Sequence, residues 1–478
     1  MSSARTDSRL PLYVDLDGTL IKSDVTFEAL LLLLRRNVFY LALVPLWLLR
    51  GLAHLKQRLA ALVDVPVESI PFNEEFLDYL RREKARGRKL ILISASHQSQ
   101  VERVAALVGL FDRVEGTQAD INLKSHNKLA RIRQLNGEGG FAYAGNARAD
   151  LPLWGAADQA ILVNCGDGLR RAINDNGQRV LQFDRPGSRF ACLLTAMRPH
   201  QWFKNLLLFL PLILSHQLND LTLFLQASLG FVSFSLCASS VYLLNDLLDL
   251  ASDRLHPSKR QRPLAAGELP LGIALAAIPA LLLAAFAVAL LLPGDFLWIL
   301  LGYWLLTTLY SLMLKQRFLV DVLVLALLYT ARIFAGAAAI DVVATSWLIA
   351  FSMSLFLGLA IVKRVTELTR LRQVAYTSAA GRGYHTDHRR LMIAIGAAAS
   401  LGAVIIFAFY INAPATTELY SSPAILWLVC PLLLLLLVRI WVRARSGELH
   451  EDPVVFALGD HSSQFIVLLC GALIWLAI

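Results

Sequence analysis

Val241-Tyr-Leu-Leu-Asn245-Asp246-Leu-Leu-Asp249-Leu-Ala-Ser-Asp253-Arg254 leads out of an apolar run and continues to Lys259-Arg260-Gln261-Arg262-Pro263. Asp246, Asp249 and Asp253 are spaced three and four residues apart. On a helix that spacing sets three carboxylates on one face. Like charges so placed repel, and a cation among them removes the repulsion. Mg²⁺ suits carboxylate oxygens and keeps phosphate oxygens in its shell. The basic residues that follow, Arg262 among them, can meet remaining phosphate charge. The stretch predicts a Mg²⁺–diphosphate site, with Asn245 beside it. The plainer alternative is a solvated acidic helix end next to a basic loop. Carboxylates at a membrane edge are costly and usually functional, which favours the site.

Outward from this stretch, the chain is strongly apolar. Of 478 residues, 56% are hydrophobic and 17% charged, against about 25% charged in soluble domains. The excess lies after Arg198, whereas residues 1–187 read as a soluble domain. A boundary near Arg185-Pro-Gly-Ser188 follows, giving domains of 1–187 and 188–478. Nine spanning helices are expected, near 203–218, 222–244, 271–292, 295–313, 319–340, 345–362, 391–411, 423–440 and 462–478. With the N-terminus inside, the inner loops hold sixteen Lys and Arg and the outer loops none, as the positive-inside bias requires. The net charge of +9 is therefore topological, and no nucleic-acid partner is implied. The bilayer is the partner. The N-terminus lacks a signal peptide's apolar core, so the first domain is expected in the cytoplasm and the rest in the inner (plasma) membrane. Five scattered cysteines imply neither zinc site nor disulfide framework.

Further along, Tyr310-Ser-Leu-Met-Leu-Lys315-Gln-Arg317-Phe-Leu-Val-Asp321 offers one acid and two bases, and Arg332 falls inside an apolar segment. An intramembrane guanidinium calls for an anionic partner, a carboxylate or a substrate phosphate. Lys363-Arg364 and Lys204 are further candidates for phosphate; positive-inside anchoring and snorkelling are their simpler readings.

Asn245-Asp246-x-x-Asp249-x-x-x-Asp253 followed by Arg262-Pro263 resembles the first aspartate-rich motif of the UbiA prenyltransferase superfamily. That family's aromatic prenyltransferases carry a second acid-rich motif, where this chain has only Asp321. Tyr310-Ser-x-x-x-Lys315, Asp321-Val-x-x-Leu-Ala, Tyr329-Thr-x-Arg332-x-x-Ala-Gly-Ala, Arg198-Pro-His-Gln-Trp202-Phe-Lys204-Asn205 and Glu451-Asp452-Pro453 look like the decaprenyl-phosphate phosphoribosyltransferase branch. The resemblance implies transfer of 5-phosphoribose from phosphoribosyl pyrophosphate to a polyprenyl phosphate, with release of pyrophosphate. Asp246, Asp249 and Asp253 would hold Mg²⁺, with Asp246 and Asp249 catalytic. Lys204, Asn245, Arg262, Tyr310, Lys315, Asp321, Arg332, Lys363 and Arg364 would bind substrate. The acceptor phosphate is already anionic, so no general base is needed. Two rivals are a prenyltransferase with an aromatic acceptor and a non-catalytic scaffold or transporter.

In the first domain, Leu12-Tyr-Val-Asp15-Leu-Asp17-Gly18-Thr19 is a short strand ending in two acids. Lys89-Leu-Ile-Leu-Ile-Ser94 is a second strand ending in a hydroxyl. Lys128 opens a helix, and Phe141-Ala-Tyr-Ala-Gly145-Asn146-x-x-x-Asp150 is a third strand with a polar tip. A parallel sheet would gather these tips at one crevice. The order resembles the haloacid dehalogenase (HAD) phosphatases, an α/β Rossmannoid fold with a helical cap, here about 21–88. The resemblance makes Asp15 the nucleophile and Asp17 the general acid/base. Ser94 and Lys128 would bind phosphate, and Asp15, Asp17, Asn146 and Asp150 would hold Mg²⁺. The family usually has Asp where Asn146 stands, so metal binding there loses a charge. Within the cap, Val38–Leu49 is apolar but short, flanked by Arg35, Arg36 and Arg50. It reads either as an interfacial helix or as an ordinary cap core helix.

Overall fold

The structure, a computed structural model, describes residues 10–37, 39–118, 122–174, 179–183, 187–373, 383–449 and 453–478. Arg185, Arg382, Glu451 and Asp452 lie outside the described residues. The chain forms two compact units. One comprises Met1–Arg198 with Tyr242–Pro279, the other Pro199–Val241 with Ala280–Ile478.

The first unit is built on six parallel strands: β1 (Leu12–Val14), β2 (Leu90–His97), β3 (Arg113–Thr117), β4 (Ala142–Gly145), β5 (Gln159–Val163) and β6 (Arg179–Phe183). Their order is β3-β2-β1-β4-β5-β6. β1, β4 and β5 are buried along their whole length, which is why they read as mostly apolar runs rather than alternating ones; the one amide side chain among them, Gln159, accepts from Arg88. Register fixes what happens at their tips. Val14 pairs with Leu92 on one side and Ala144 on the other. Just past these pairs the chain leaves β1 at Asp15 and β4 at Asn146, while β2 runs on through Ser94. Asp15 and Asp17 thus follow the central strand.

Between β1 and β2 the cap region supplies helices Val25–Arg36, Tyr40–Leu49, Leu52–Leu62 and Glu74–Ala85. Asp24 caps the first by accepting from the Thr26 and Phe27 amides. Val25, Ala29, Leu33, Leu55, Leu59, Phe76 and Leu80 share one apolar core with Leu12, Val14, Leu90 and Leu92. Residues 242–279 also belong to this unit. Gly267, with φ +68, is so close that a Cβ there would stand 2.5 Å from Lys22 Cβ and 2.9 Å from its carbonyl oxygen.

Among the described residues, seven helices are long and apolar enough to cross a bilayer: Leu221–Leu248, Leu271–Ala289, Gly294–Leu312, Val320–Ala339, Ser346–Arg372, Thr386–Ile411 and Pro423–Ser446. The expected nine are not reached. The last expected span is an apolar helix of 17 residues, His461–Ala477. The first is no long helix. It is a 3₁₀ stretch, Pro199–Phe209, joined to the short helix Leu210–Leu214. Prolines at 199 and 211 each remove an amide donor. Close packing also shapes this segment, since a Cβ on Gly336 would stand 2.1 Å from the Leu208 carbonyl oxygen. Apolarity alone could not reveal that geometry.

Candidate functional site

Three clusters gather the charged residues singled out in the sequence. The first sits on the strand tips. Lys128 Nζ donates to Asp15 Oδ1 at 2.7 Å and to the Tyr143 hydroxyl at 3.2 Å. The Tyr143 hydroxyl donates to Asp150 Oδ1 at 2.8 Å, and Asp150 Oδ2 accepts from the Asn146 and Ala147 amides. Asp150 thus fixes the turn that presents Asn146. The Asn146 side chain lies against Gly18, where a Cβ would stand 1.9 Å from Nδ2. Glycine at 18 leaves that space and also adopts φ +76.

Asp17 Oδ1 accepts from the Val25 amide at 2.8 Å, and Oδ2 accepts from the Ser96 hydroxyl at 2.6 Å and the Ser94 hydroxyl at 3.3 Å. Ser96 is a residue the sequence reading missed. The period of two along β2 could have found it, because Ser94 and Ser96 share a face. Lys56, on a cap helix, donates to the Ala95 carbonyl at 2.6 Å and was likewise missed. Asn164, past β5, donates to the Gly18 carbonyl and to Asn73. Asp15, Asp17, Ser94, Lys128 and Asn146, scattered through 132 positions of sequence, are therefore brought together.

Burial sets the electrostatics here. It pushes the Asp15 carboxyl up to about 7, against the pull of Lys128. It pushes Asp17 up to about 6, with Asp24 adding repulsion. Burial also works against the Lys128 charge, but Asp15 and Asp150 outweigh it and the ammonium is held more tightly than usual. The result is a carboxylate nucleophile candidate neutralised by a buried cation, beside a second carboxyl able to hold or release a proton near neutrality.

The second cluster is the aspartate motif, in the same unit. Asp246 and Asp253 are both 3% exposed. Asp249 stands between the helices Leu221–Leu248 and Leu250–Leu255, at the N-cap position of the second but without a side-chain capping bond; its amide still reaches the Asn245 carbonyl and its carbonyl accepts from the Asp253 amide. Arg198 donates to Asp246 at 2.5 Å, and Arg262 donates to Asp246 at 3.1 Å and to Asp253. Arg198 also lies 5.6 Å over the Tyr242 ring. Arg198 carries no signal in local spacing, since Asp246 is 48 positions away. Asn245 accepts from the Asp249 amide through its carbonyl.

The third cluster lies in the helical unit. Arg364 donates to Asp321 at 2.5 Å, and the Tyr310 hydroxyl donates to the same carboxylate at 2.7 Å. Arg364 also reaches Glu367 at 2.6 Å. Arg332 donates to Asn205 at 2.9 Å, to the Leu328 carbonyl at 2.5 Å and to the Tyr303 hydroxyl at 3.0 Å. Its guanidinium lies 5.2–5.4 Å from the Phe234, Tyr303 and Tyr329 ring centres, an arrangement that stabilises a cation away from water. Lys204 Nζ is 5.8 Å from the Tyr329 ring centre. Lys315 and Lys363 are half-buried.

Among the described residues, no three His, Cys, Asp or Glu side chains converge enough to hold a metal ion by themselves. The donor sets nevertheless fit Mg²⁺, which commonly takes one or two carboxylates and completes its shell with water and phosphate oxygens. Asp246 and Asp249 can supply such oxygens, as can Asp15, the Asp17 carbonyl and the Asn146 amide.

A membrane bundle of apolar helices following an α/β domain with acids on its strand tips defines a two-part, multi-pass membrane enzyme. Residues 206–474 match the UbiA prenyltransferase family and residues 12–154 the haloacid dehalogenase-like hydrolases. The chain belongs to the UbiA prenyltransferase family, with a haloacid dehalogenase-like domain fused ahead of the membrane part. It is 38% identical to the uncharacterized protein y4nM of Sinorhizobium fredii, over 98% of this chain and 90% of that one. It is 32% identical to a decaprenyl-phosphate phosphoribosyltransferase of Mycolicibacterium smegmatis, over 38% of this chain and 59% of that one. A UbiA homologue from Archaeoglobus fulgidus bound to GPP and Mg²⁺ is 19% identical, with a TM-score of 0.45, covering 59% of this chain and 99% of the other.

Proposed function

We propose that the membrane part transfers 5-phosphoribose from phosphoribosyl pyrophosphate to a polyprenyl phosphate, and that the fused domain then removes the 5-phosphate from the lipid product. The observation that carries the first half is the Asp321–Arg364 pair. The single acid where aromatic prenyltransferases carry several is tied to a guanidinium, which suits a phosphate-rich substrate better than a second metal. The partial likeness to decaprenyl-phosphate phosphoribosyltransferases supports the same donor. Mg²⁺ bound with the diphosphate would stabilise the charge developing on the leaving group. Asp246 and Asp249 would anchor it, while Arg198 and Arg262 would exchange their carboxylate partners for phosphate oxygens. The acceptor phosphate needs no deprotonation, so alignment and charge stabilisation carry the rate.

In the fused domain, Asp15 would attack phosphorus and form an aspartyl-phosphate. Asp17 would give a proton to the departing ribose oxygen and take one from the attacking water. Lys128 favours the ionised form of Asp15 against the effect of burial and would offset phosphate charge. The expected setting is the inner face of the plasma membrane.

The test uses purified protein, labelled phosphoribosyl pyrophosphate, polyprenyl phosphate and Mg²⁺, with chromatography of the lipid product. Wild type should yield lipid-linked ribose, and Asp15→Asn the 5-phosphorylated lipid. Identical product mixtures from the two would refute the sequential scheme. Turnover of an isoprenyl diphosphate without phosphoribosyl pyrophosphate would replace the donor assignment.

A further inference from the structure

We propose that the cap helix Tyr40–Leu49 is a membrane-interface anchor, which lays the phosphatase domain on an anionic lipid surface. Its inward face is Tyr40, Val44 and Trp47, spaced four and three apart, which pack on the domain core. Its outward face is also apolar. Phe39 is 80% exposed, Leu46 56% and Leu49 84%, and Leu43, Leu48 and Leu52 continue the patch. Single exposed leucines are ordinary, but six large apolar side chains exposed around one short helix and its ends are not. A ten-residue helix spans about 15 Å, half of what a bilayer crossing needs. The geometry is that of a segment lying in the interface, apolar side down.

Charge selects the occupant. From Ala29 to Val63 there is no Asp or Glu, but there are Arg35, Arg36, Arg50, Lys56 and Arg58. Lys56 turns inward to the Ala95 carbonyl; the four arginines are exposed. An apolar stripe bordered by arginines and free of acids complements anionic headgroups above acyl chains. The purpose assigned to the anchor rests on the reading of the fused domain as a lipid-product phosphatase. Its existence does not.

The test places a nitroxide at Leu43→Cys, Leu46→Cys or Leu49→Cys in the full chain lacking its native cysteines. The protein is reconstituted in phosphatidylcholine vesicles with or without phosphatidylglycerol. At these positions the ratio of oxygen to nickel-chelate accessibility should exceed that at an exposed control, Asp78→Cys, by about tenfold, as burial in acyl chains demands. It should be larger with phosphatidylglycerol. Ratios equal to the control overturn the anchor, and spin–spin broadening between labels would assign the face to a second copy instead. Equal depth in both lipids overturns the choice of anionic headgroups. In an activity arm, Leu46→Asp with Leu49→Asp should slow dephosphorylation of the lipid product about tenfold, because the site loses its local substrate concentration. A soluble phosphomonoester should be hydrolysed as before. If wild type hydrolyses neither, the phosphatase reading fails while the depth measurement still decides the anchor.

Discussion

Arg254, in the short helix Leu250–Leu255 of the aspartate-rich segment, donates to Glu28, in the first cap helix, at 2.6 Å across 226 positions of sequence. Both side chains are only 5% exposed. Ser23 donates to the same Glu28 oxygen, and the Ser23 carbonyl accepts from the Gly18 amide beside Asp17. A short chain of hydrogen bonds thus connects the aspartate-rich motif to the strand tip that carries Asp17. Removing one partner of a buried pair strands the other charge, at a cost of about 3–5 kcal/mol. Arg254→Met should therefore lower the thermal midpoint markedly. Glu28→Met with Arg254→Met should recover much of the loss, read by tryptophan fluorescence melts. If the double variant is no better than the worse single one, the pair is not what holds the loop.

The raised Asp17 carboxyl predicts a pH signature. Its folded value, about 6, lies above the value of about 3.9 for an unfolded chain. The folded state binds this proton more tightly, so the contribution is full below about pH 4 and is lost as pH rises through about 6. Asp17→Asn removes that dependence. In metal-free buffer the variant should be the more stable protein at pH 7.5, and its advantage should shrink steadily towards pH 4. A constant difference between the melting curves across that range would show that Asp17 is not held above its ordinary value.

Arg198 and Arg262 neutralise Asp246. Arg198→Gln should raise the KM for the diphosphate donor about tenfold, the loss of one charge-assisted contact, and leave the KM for the lipid acceptor alone. Asp246→Asn should raise the Mg²⁺ concentration needed for half-maximal transfer. Equal changes in both KM values would assign Arg198 a purely architectural part.

Asp321 is fully buried, with Arg364 and Tyr310 as partners. Arg364→Gln leaves its charge stranded and should cost more stability than Asp321→Asn with Arg364→Gln together. Tyr310→Phe removes one hydrogen bond to the carboxylate and should cost about 2 kcal/mol. Unfolding of detergent-solubilised variants measures all three. A Tyr310→Phe loss as large as that of Arg364→Gln would mean that the hydroxyl, not the guanidinium, holds Asp321.

Much of this arrangement could be read from short windows of sequence. The acids after β1, the hydroxyl of Ser94 within β2 and the turn at Asn146 each carry a local signal, and the parallel order of β2, β1 and β4 brings them together. The apolar runs declared most of the membrane helices. What stayed hidden depended on distance along the chain or on backbone detail. Nothing near Arg198 announces Asp246, and nothing near Arg254 announces Glu28. Arg332 reads as a guanidinium awaiting an anion. In the fold, Asn205, the Leu328 carbonyl and Tyr303 accept its hydrogens, and three aromatic rings face its charge. The 3₁₀ stretch at Pro199–Phe209 ends in an apolar run, and its geometry reflects the prolines at 199 and 211 and the close approach of Leu208 to Gly336.

The close approach of Gly267 to Lys22 bears on how such a gene can be rearranged. The haloacid dehalogenase-like unit is not a bead strung before a membrane protein, because residues 242–279 form part of its body. A fragment ending near residue 187 would leave Glu28 without its guanidinium and Lys22 without the backbone that covers it. Swapping in a loop with any larger residue at 267 would wedge the two apart. A cut at the linker would therefore strip the first unit of the packing that residues 242–279 supply.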